Sequence, residues 1–492
     1  MIYRPSPGPR LWDTWLFDDE GRFHLFHLVR QGLSSVGGCD GVGHAVSEDL
    51  VYWKPRPIIQ TLGAEGEWDS PRTHTGMVIR HENRYVMFYG TTDNGVQRVG
   101  FMESEDLEHW QKHPANPVMS PGAPHYQSEA DEFGDADWRD PFVMWLAEEQ
   151  CYETFICARQ AEWGAGVGAC IGRARSRDLI RWEMLPPVAA EERFCHMEVP
   201  EHFELAGRHY LIFSTTSLAG ARLNTARRER ASGTFYMIAD RRTGPYRLPE
   251  DYLLLGSGEG RFDCYVGRSI ARDGERLLYH HNCGPRPAFG APKRIEAAAD
   301  GPLHLRYWPG LAALETSVLR DGFSGEVAPL SAPVLADWSV EGGELHGQAR
   351  PMNAAVLLPE VVADAHVTCR VSPHSCSRAA LLFRFDVDSA KGWALTLNYE
   401  TGFVELSAAT VTNQKAVRLQ TLDKVRVPLE GDKPVLLRVL VRAEFADCYL
   451  DDRWLFSAVL GEEPSAGHIG LGLAGGRATF DELRVAGLES LA

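Results

Sequence analysis

Three carboxylates stand in settings suited to chemistry on a glycosidic bond. Asp13 lies in Leu11-Trp12-Asp13-Thr14-Trp15-Leu16-Phe17, among large apolar side chains. Asp140 lies in Trp138-Arg139-Asp140-Pro141-Phe142, and Glu198 in Cys195-His196-Met197-Glu198-Val199-Pro200-Glu201. A carboxyl group beside apolar neighbours loses hydration, which disfavours its charged form, whereas one beside a fixed arginine stays ionised. Glycoside hydrolysis needs that division of labour: a protonated acid for the leaving oxygen and an ionised carboxylate at the anomeric carbon. Taken singly, each acid has a plainer reading. Arg-Asp-Pro is commonly a turn with an ion pair, and a Glu before Val-Pro fits a solvated strand end.

The elements around them change that reading. The pattern S-x-D-L-x-x-W occurs as Ser47 to Trp53, Ser104 to Trp110 and Ser176 to Trp182. Period-two runs such as Arg22 to Leu28, Arg84 to Gly90 and Arg208 to Ser214 accompany it, and second strands such as Val42 to Ser47 and Val99 to Ser104 lead into it. Repeats of this size built from short strands point to the blades of a β-propeller, which must stack around an axis to bury their faces. The motif itself reads as scaffold: Ser and Asp close a turn, and Leu and Trp anchor the outgoing strand. Asp13, Asp140 and Glu198 each precede the first strand of a unit. Inner strands line the axial funnel, so acids at equivalent corners would converge on one pocket.

With 492 residues, two domains are expected. An apolar share of 44% with 10% aromatic residues suffices for large cores. The net charge of −17 argues against nucleic acid and against anionic membrane surfaces. No apolar run reaches transmembrane length, and Met1 to Arg10 lacks the apolar stretch of a secretory signal. The ten cysteines form no C-x-x-C pair, which suggests free thiols in a reducing compartment rather than disulfides or zinc. A cytoplasmic protein acting on a neutral small molecule or oligosaccharide is therefore expected. Nothing in the sequence fixes an oligomeric state. The texture changes near Val334 to Trp338. From there, short strands such as Ala379 to Phe385 and Val435 to Val441 indicate a β-sandwich. The expected organisation is all-β: a propeller over 1–310, a linker over 311–335 and a sandwich over 336–492.

On these residues the chain resembles the five-bladed β-propeller fructosidases and fructosyltransferases, glycoside hydrolase families 32 and 68. Gly43 to Trp53 is similar to their G-H-A-x-S-x-D-L-x-x-W segment. Arg139-Asp140-Pro141 is similar to their R-D-P motif, and Glu198-Val199-Pro200 to E-C-P or E-R-P. His74-Thr75-Gly76-Met77 stands where the family has W-S-G-S, and Trp12-Asp13-Thr14-Trp15 is nearer the W-D-S-W or W-D-T-W form of family 68 than the W-M-N-D-P-N-G of family 32. The resemblance implies that Asp13 is the nucleophile, Glu198 the general acid/base and Asp140 a transition-state stabiliser. It implies a retaining mechanism through a covalent fructosyl-enzyme, with sucrose or short fructo-oligosaccharides as substrate and no metal or other cofactor. Asp13 would be ionised and Glu198 protonated in the free enzyme.

Further candidates surround the acids. Trp12 and Trp15 could stack on a sugar face, although core packing explains one of them equally well. His44 and His74 could face the pocket, and Arg139 would orient Asp140. The arginines from Arg222 to Arg230 read as a solvated loop, and Gly164-Ala165-Gly166-Val167-Gly168 as a β-turn rather than a nucleotide loop. Three other activities fit the same pattern: an inverting arabinofuranosidase or xylosidase, a fructosyltransferase, and a non-catalytic glycan-binding propeller.

Overall fold

Alternating apolar and polar residues fold the first part of the chain into consecutive antiparallel meanders. The computed structural model describes all residues except 1, 6–9, 31–38, 131–133, 162–167, 220–230, 259, 325–326, 414, 462 and 492. Residues 164–167 of the glycine run and the arginine stretch 222–230 lie outside the described residues.

The first sheet is β1 (Arg10–Asp19), β2 (Arg22–Arg30), β3 (Gly41–Ser47) and β4 (Lys54–Ile59). The second is β5 (His74–His81), β6 (Arg84–Asp93), β7 (Val96–Ser104) and β8 (Gln111–Lys112). The third is β9 (Trp138–Leu146), β10 (Cys151–Arg159), β11 (Ala169–Ser176) and β12 (Glu183–Ala190), and the fourth β13 (Glu198–Leu205), β14 (Arg208–Thr215), β15 (Ser232–Ala239) and β16 (Leu253–Ser257). The fifth starts with β17 (Cys264–Arg272) and β18 (Glu275–Asn282), continued by β19 (Ala288–Phe289) and β20 (Lys293–Ala297), both paired to β18. Tight two-residue turns set the register. Glu20-Gly21 and Ala206-Gly207 have φ of 56° and 96°, and 51° and 73°, the positive pair that matches the twist of a hairpin.

The first strands form a ring: β1 packs beside β5, β5 beside β9, β9 beside β13, β13 beside β17, and β17 beside β1. This is the closed five-bladed propeller expected. Tyr3 pairs with Phe289, fastening the N-terminal segment to the last blade. Between blades lie apolar layers such as Phe88, Phe101, Trp138, Val143 and Ile156.

The three S-x-D-L-x-x-W segments join the third and fourth strands of the first three blades. Ser47 Oγ accepts from the Leu50 amide (2.9 Å), and Asp49 Oδ1 from the amides of Val51 and Tyr52 (both 2.8 Å). Asp106 and Asp178 repeat this with the amides of Glu108 and His109, and of Ile180 and Arg181. Each Trp indole donates to the carbonyl of its Leu. Leu50, Leu107 and Leu179 take φ of 66°, 64° and 63° and are buried. The side-chain bonds hold this uncommon backbone in place.

The chain divides into two compact units between His304 and Leu305. The second is a sandwich of two antiparallel sheets around Val367, Leu381, Leu395, Leu437, Ile469 and Leu471. The stretch 311–335, expected as a linker, contributes Glu315–Asp321, which pairs with the long strand Gly476–Leu488.

Candidate active site

Every inner strand of the propeller carries a bulge at the same place. Three residues on the inner strand span two on its neighbour between Leu11 and Thr14, His74 and Met77, Arg139 and Phe142, Glu198 and Glu201, and Tyr265 and Arg268. A bulge bends its strand and re-aims side chains. Asp140, Val199 and Val266 take φ of 59°, 46° and 49° within these bulges, which is costly for a β-branched valine and persists only where the surroundings impose it. Leu11, His74, Arg139, Glu198 and Tyr265 are therefore equivalent positions. Asp140 lies one residue further into its bulge and Asp13 two. The acids share a kind of corner but not a position in it, so each approaches the axis differently.

They meet in a pocket of about 470 Å³ whose walls include Trp12, Asp13, His74, Thr75, Arg139, Asp140, His196 and Glu198. Asp13 Oδ2 accepts a hydrogen bond from Thr75 Oγ1 (2.5 Å), while Oδ1 is buried without a hydrogen-bond partner. Burial raises the Asp13 pKa to about 6 against the opposing pull of Thr75. Asp140 Oδ2 accepts from the Val199 amide (3.1 Å) and lies 3.5 Å from Arg139 Nε. Burial outweighs that cation and raises Asp140 to about 8. Glu198 Oε1 accepts from Arg139 Nη2 (2.8 Å) and Oε2 from the Tyr265 hydroxyl (2.5 Å), with His196 Nε2 3.8 Å away. Burial raises its pKa, but His196, Arg139 and Tyr265 overcome it and hold Glu198 down at about 2.

This order corrects the expectation of a protonated Glu198 in the free pocket. Burial favours the protonated form of Asp140 near neutral pH, while Glu198 is held as the ionised partner of Arg139. The physical reason is the bulge geometry. Arg139 and Glu198 are equivalent residues of adjacent strands and reach each other, whereas Asp140 turns one step deeper and is left with a longer contact.

Arg139 is itself fixed from below. It donates to Asp137 Oδ1 (2.5 Å) and Gln97 Oε1 (3.0 Å), and Asp137 also accepts from Arg159 (2.6 Å). Glu201, the other acid of the Glu198 segment, is held by Arg268 and the Ser269 amide. His74 lines the pocket and bonds Thr92 Oγ1 through Nε2 (2.9 Å); burial lowers its pKa to about 3, so it is neutral. Trp12 also lines the pocket, its ring centroid 4.8 Å from that of His281 and tilted 48° to it. Two expected contacts are corrected. Trp15 is fully buried and stacks on Phe26 in the apolar layer. His44 is buried, bonded to His24 Nδ1 (2.9 Å) and stacked on Phe26. Strand alternation accounts for Trp15, because the bulge ends before it and the period-two pattern sends it sideways.

Thr75, Asp137, His196 and Tyr265 were not singled out by the sequence. Thr75 and His196 lie inside motif segments, next to residues that were. Tyr265 becomes visible only once the fifth bulge is aligned with the other four. Among the described residues no cluster of His, Cys, Asp or Glu has the arrangement of a metal site.

The N-terminal domain of glycosyl hydrolases family 32 matches residues 15–278, more than half of the chain. The chain belongs to glycosyl hydrolase family 32. The match includes Asp140 and Glu198 and begins two residues after Asp13. Among proteins of known activity, the chain is similar to a sucrose:sucrose 1-fructosyltransferase of Festuca arundinacea, 27% identical over 187 residues, covering 36% of this chain and 25% of that one. The match thus spans a quarter of that relative's length. Among solved structures, sucrose-6-phosphate hydrolase of Lactobacillus gasseri superimposes with a TM-score of 0.73 at 16% identity, over 100% of this chain and 93% of the other. A Bombyx mori family 32 β-fructofuranosidase, solved as a mutant with sucrose, superimposes with 0.69 at 17% identity over 99% and 94%. These superpositions extend the family's propeller-and-sandwich fold over the whole chain.

Proposed function

We propose that this family 32 chain is a retaining β-fructofuranosidase-type hydrolase that cleaves fructosyl linkages in sucrose or short fructo-oligosaccharides. One observation carries the reading: Asp13 presents a buried, unpartnered carboxylate oxygen to the same small pocket that holds Glu198 between Arg139 and Tyr265. A nucleophile needs one free, desolvated lone pair, and Thr75 fixes the other oxygen so that Oδ1 is aimed. Asp13 attacks the anomeric carbon as the leaving oxygen takes a proton from Glu198. Glu198, now ionised, draws a proton from water, whose oxygen releases the sugar from Asp13.

The free pocket holds the right number of protons in a different place. Moving one proton from Asp140 to Glu198 gives the reactive state without change of charge. Arg139 touches both groups and can follow the charge. Asp140, once ionised, accepts sugar hydroxyls and stabilises the positive ring of the transition state. Support for a reducing, cytoplasmic setting comes from the cysteines, all ten unpaired and nine buried.

The test is hydrolysis of sucrose, inulin, levan and an aryl arabinofuranoside, followed by NMR of the first sugar anomer released. The reading expects fructose released with its original anomeric configuration. Release of the opposite anomer, or cleavage of the arabinoside alone, would replace it with the inverting alternative.

A further inference from the structure

The blade that holds Asp13 departs from the other four at one position. The first residue of each inner bulge pairs with Val29, Gly90, Cys157, Ser214 or His281 on the second strand. One step on, four blades carry the uncharged Thr91, Ala158, Thr215 and Asn282, and the first carries Arg30. Arg30 lines the pocket with Asp13. Its guanidinium lies over the Trp12 ring, 4.1 Å from the centroid, and its Nε is buried without a hydrogen-bond partner. Trp12 immediately precedes Asp13 in the same bulge, so the ring that carries the cation is one peptide from the nucleophile.

Asp13 needs a countercharge. Loss of hydration raises its carboxyl and the Thr75 hydroxyl lowers it; among the charges, Glu198 raises it while Arg30 and Arg139 lower it. Asp140 and Tyr265 face it as well, and Arg72, Asp135 and His196 line the same pocket. Arg139 is already divided among Asp137, Asp140 and Glu198, whereas Arg30 forms no ion pair among the described residues. The other neighbours of Arg30 are neutral: burial raises the Cys39 thiol to about 11 and lowers His281 to about 3. A direct ion pair would occupy the oxygen that must attack. A guanidinium held aside on Trp12 acts through space instead, which a buried site permits, and Asp13 Oδ1 stays unpartnered.

We infer that Arg30 is a positioning residue for the nucleophile: carried on the face of Trp12, it supplies the countercharge that keeps Asp13 ionised without bonding the attacking oxygen. This rests on the hydrolase reading above, which makes Asp13 the nucleophile.

The test is the pH profile of kcat/KM for the best-cleaved fructoside in the parent, Arg30→Gln and Arg30→Lys. The acid limb, expected near pH 6 in the parent, should move up by at least about half a pH unit in Arg30→Gln, so that its loss is at least about threefold greater at acid pH than on the plateau. Arg30→Lys keeps the charge and should return the limb toward that of the parent. Arg30→Met, which keeps an apolar stem against Trp12, repeats the measurement should the glutamine variant melt early. Thermal melts give a reading independent of turnover. The Tm gained by Asp13→Asn should level off above about pH 6 when Arg30 is present, and should keep rising to higher pH in the Arg30→Gln background. A limb that stays in place with an equal loss at every pH, and Tm gains that level off together, overturn the inference and leave the hydrolase reading intact. Tm gains that separate, with no fructoside cleaved by the parent, keep the coupling of Arg30 to Asp13 and remove the hydrolase reading.

Discussion

Aspartates at the outer turns of the blades and aspartates at the inner bulges meet opposite fates. Asp106 and Asp178 accept two backbone amides each in exposed turns. The amides of His109 and Arg181 lead the interactions that hold their carboxyls below the usual range. Asp13 is half-buried and Asp140 buried, each with fewer donors, and loss of hydration raises their carboxyls to about 6 and about 8. The same residue type is thus a turn-closing brace where hydrogen bonds exceed the cost of burial, and a reactive group where burial exceeds the hydrogen bonds. The three outer turns repeat one bonding pattern. The five inner bulges repeat one backbone form but carry five different side-chain sets.

Substitutions at the two places should separate accordingly. Asp13→Asn and Glu198→Gln should each lower kcat by at least about 10³-fold, with the double variant little worse than either single. Sucrose turnover by either variant at near-parental rates would move the assigned residue out of the mechanism. Asp140→Asn should cost less, roughly 10²-fold, and mainly in kcat, because its bonds to sugar hydroxyls strengthen as charge develops. An effect confined to KM would make Asp140 a ground-state contact instead.

The pH dependence sharpens the contrast. kcat/KM should fall below about pH 6 as Asp13 protonates, and again above about pH 8 as the proton shared by Asp140 and Glu198 is lost. A single limb across pH 5–9 would break this account. Stability follows the same groups. Asp13 and Asp140 have folded pKa values above the ordinary 3.8. Their contribution is complete below that value and is lost as pH rises through about 6 and then about 8. Glu198, held at about 2, contributes in the opposite sense, above its ordinary 4.5 and lost as pH falls toward 2. Asp140→Asn should therefore gain Tm relative to the parent as pH is raised to 8, measured by thermal melts across buffers. A constant difference at all pH values would show that Asp140 is not being charged there.

At the outer turns the smallest effect is expected. Asp106→Ala removes the carboxylate oxygen that accepts from two backbone amides in an exposed turn and should cost about 1 kcal/mol or less in urea unfolding, with sucrose kinetics unchanged. A large kinetic effect would mean that the outer turns reach the funnel.

The sequence by itself determined the blades, because strand alternation and the S-x-D-L-x-x-W turn depend on neighbours within about seven residues. It determined the sandwich for the same reason, and it named the three acids because each lies in a short motif. What it did not determine is which side chains share the pocket. Trp12 and Trp15 look alike in the chain, yet the bulge between Leu11 and Thr14 leaves one at the pocket and returns the other to the core. Nor does local sequence reveal that Tyr265, 67 positions from Glu198, supplies its shortest hydrogen bond. The protonation order of the acids is also a tertiary property. It depends on Arg139 reaching across to Glu198 at 2.8 Å while Asp140, its own neighbour, is left at 3.5 Å. Packing of adjacent blades brings Arg139 to Glu198, and charge interactions in a buried site depend on such distances between blades.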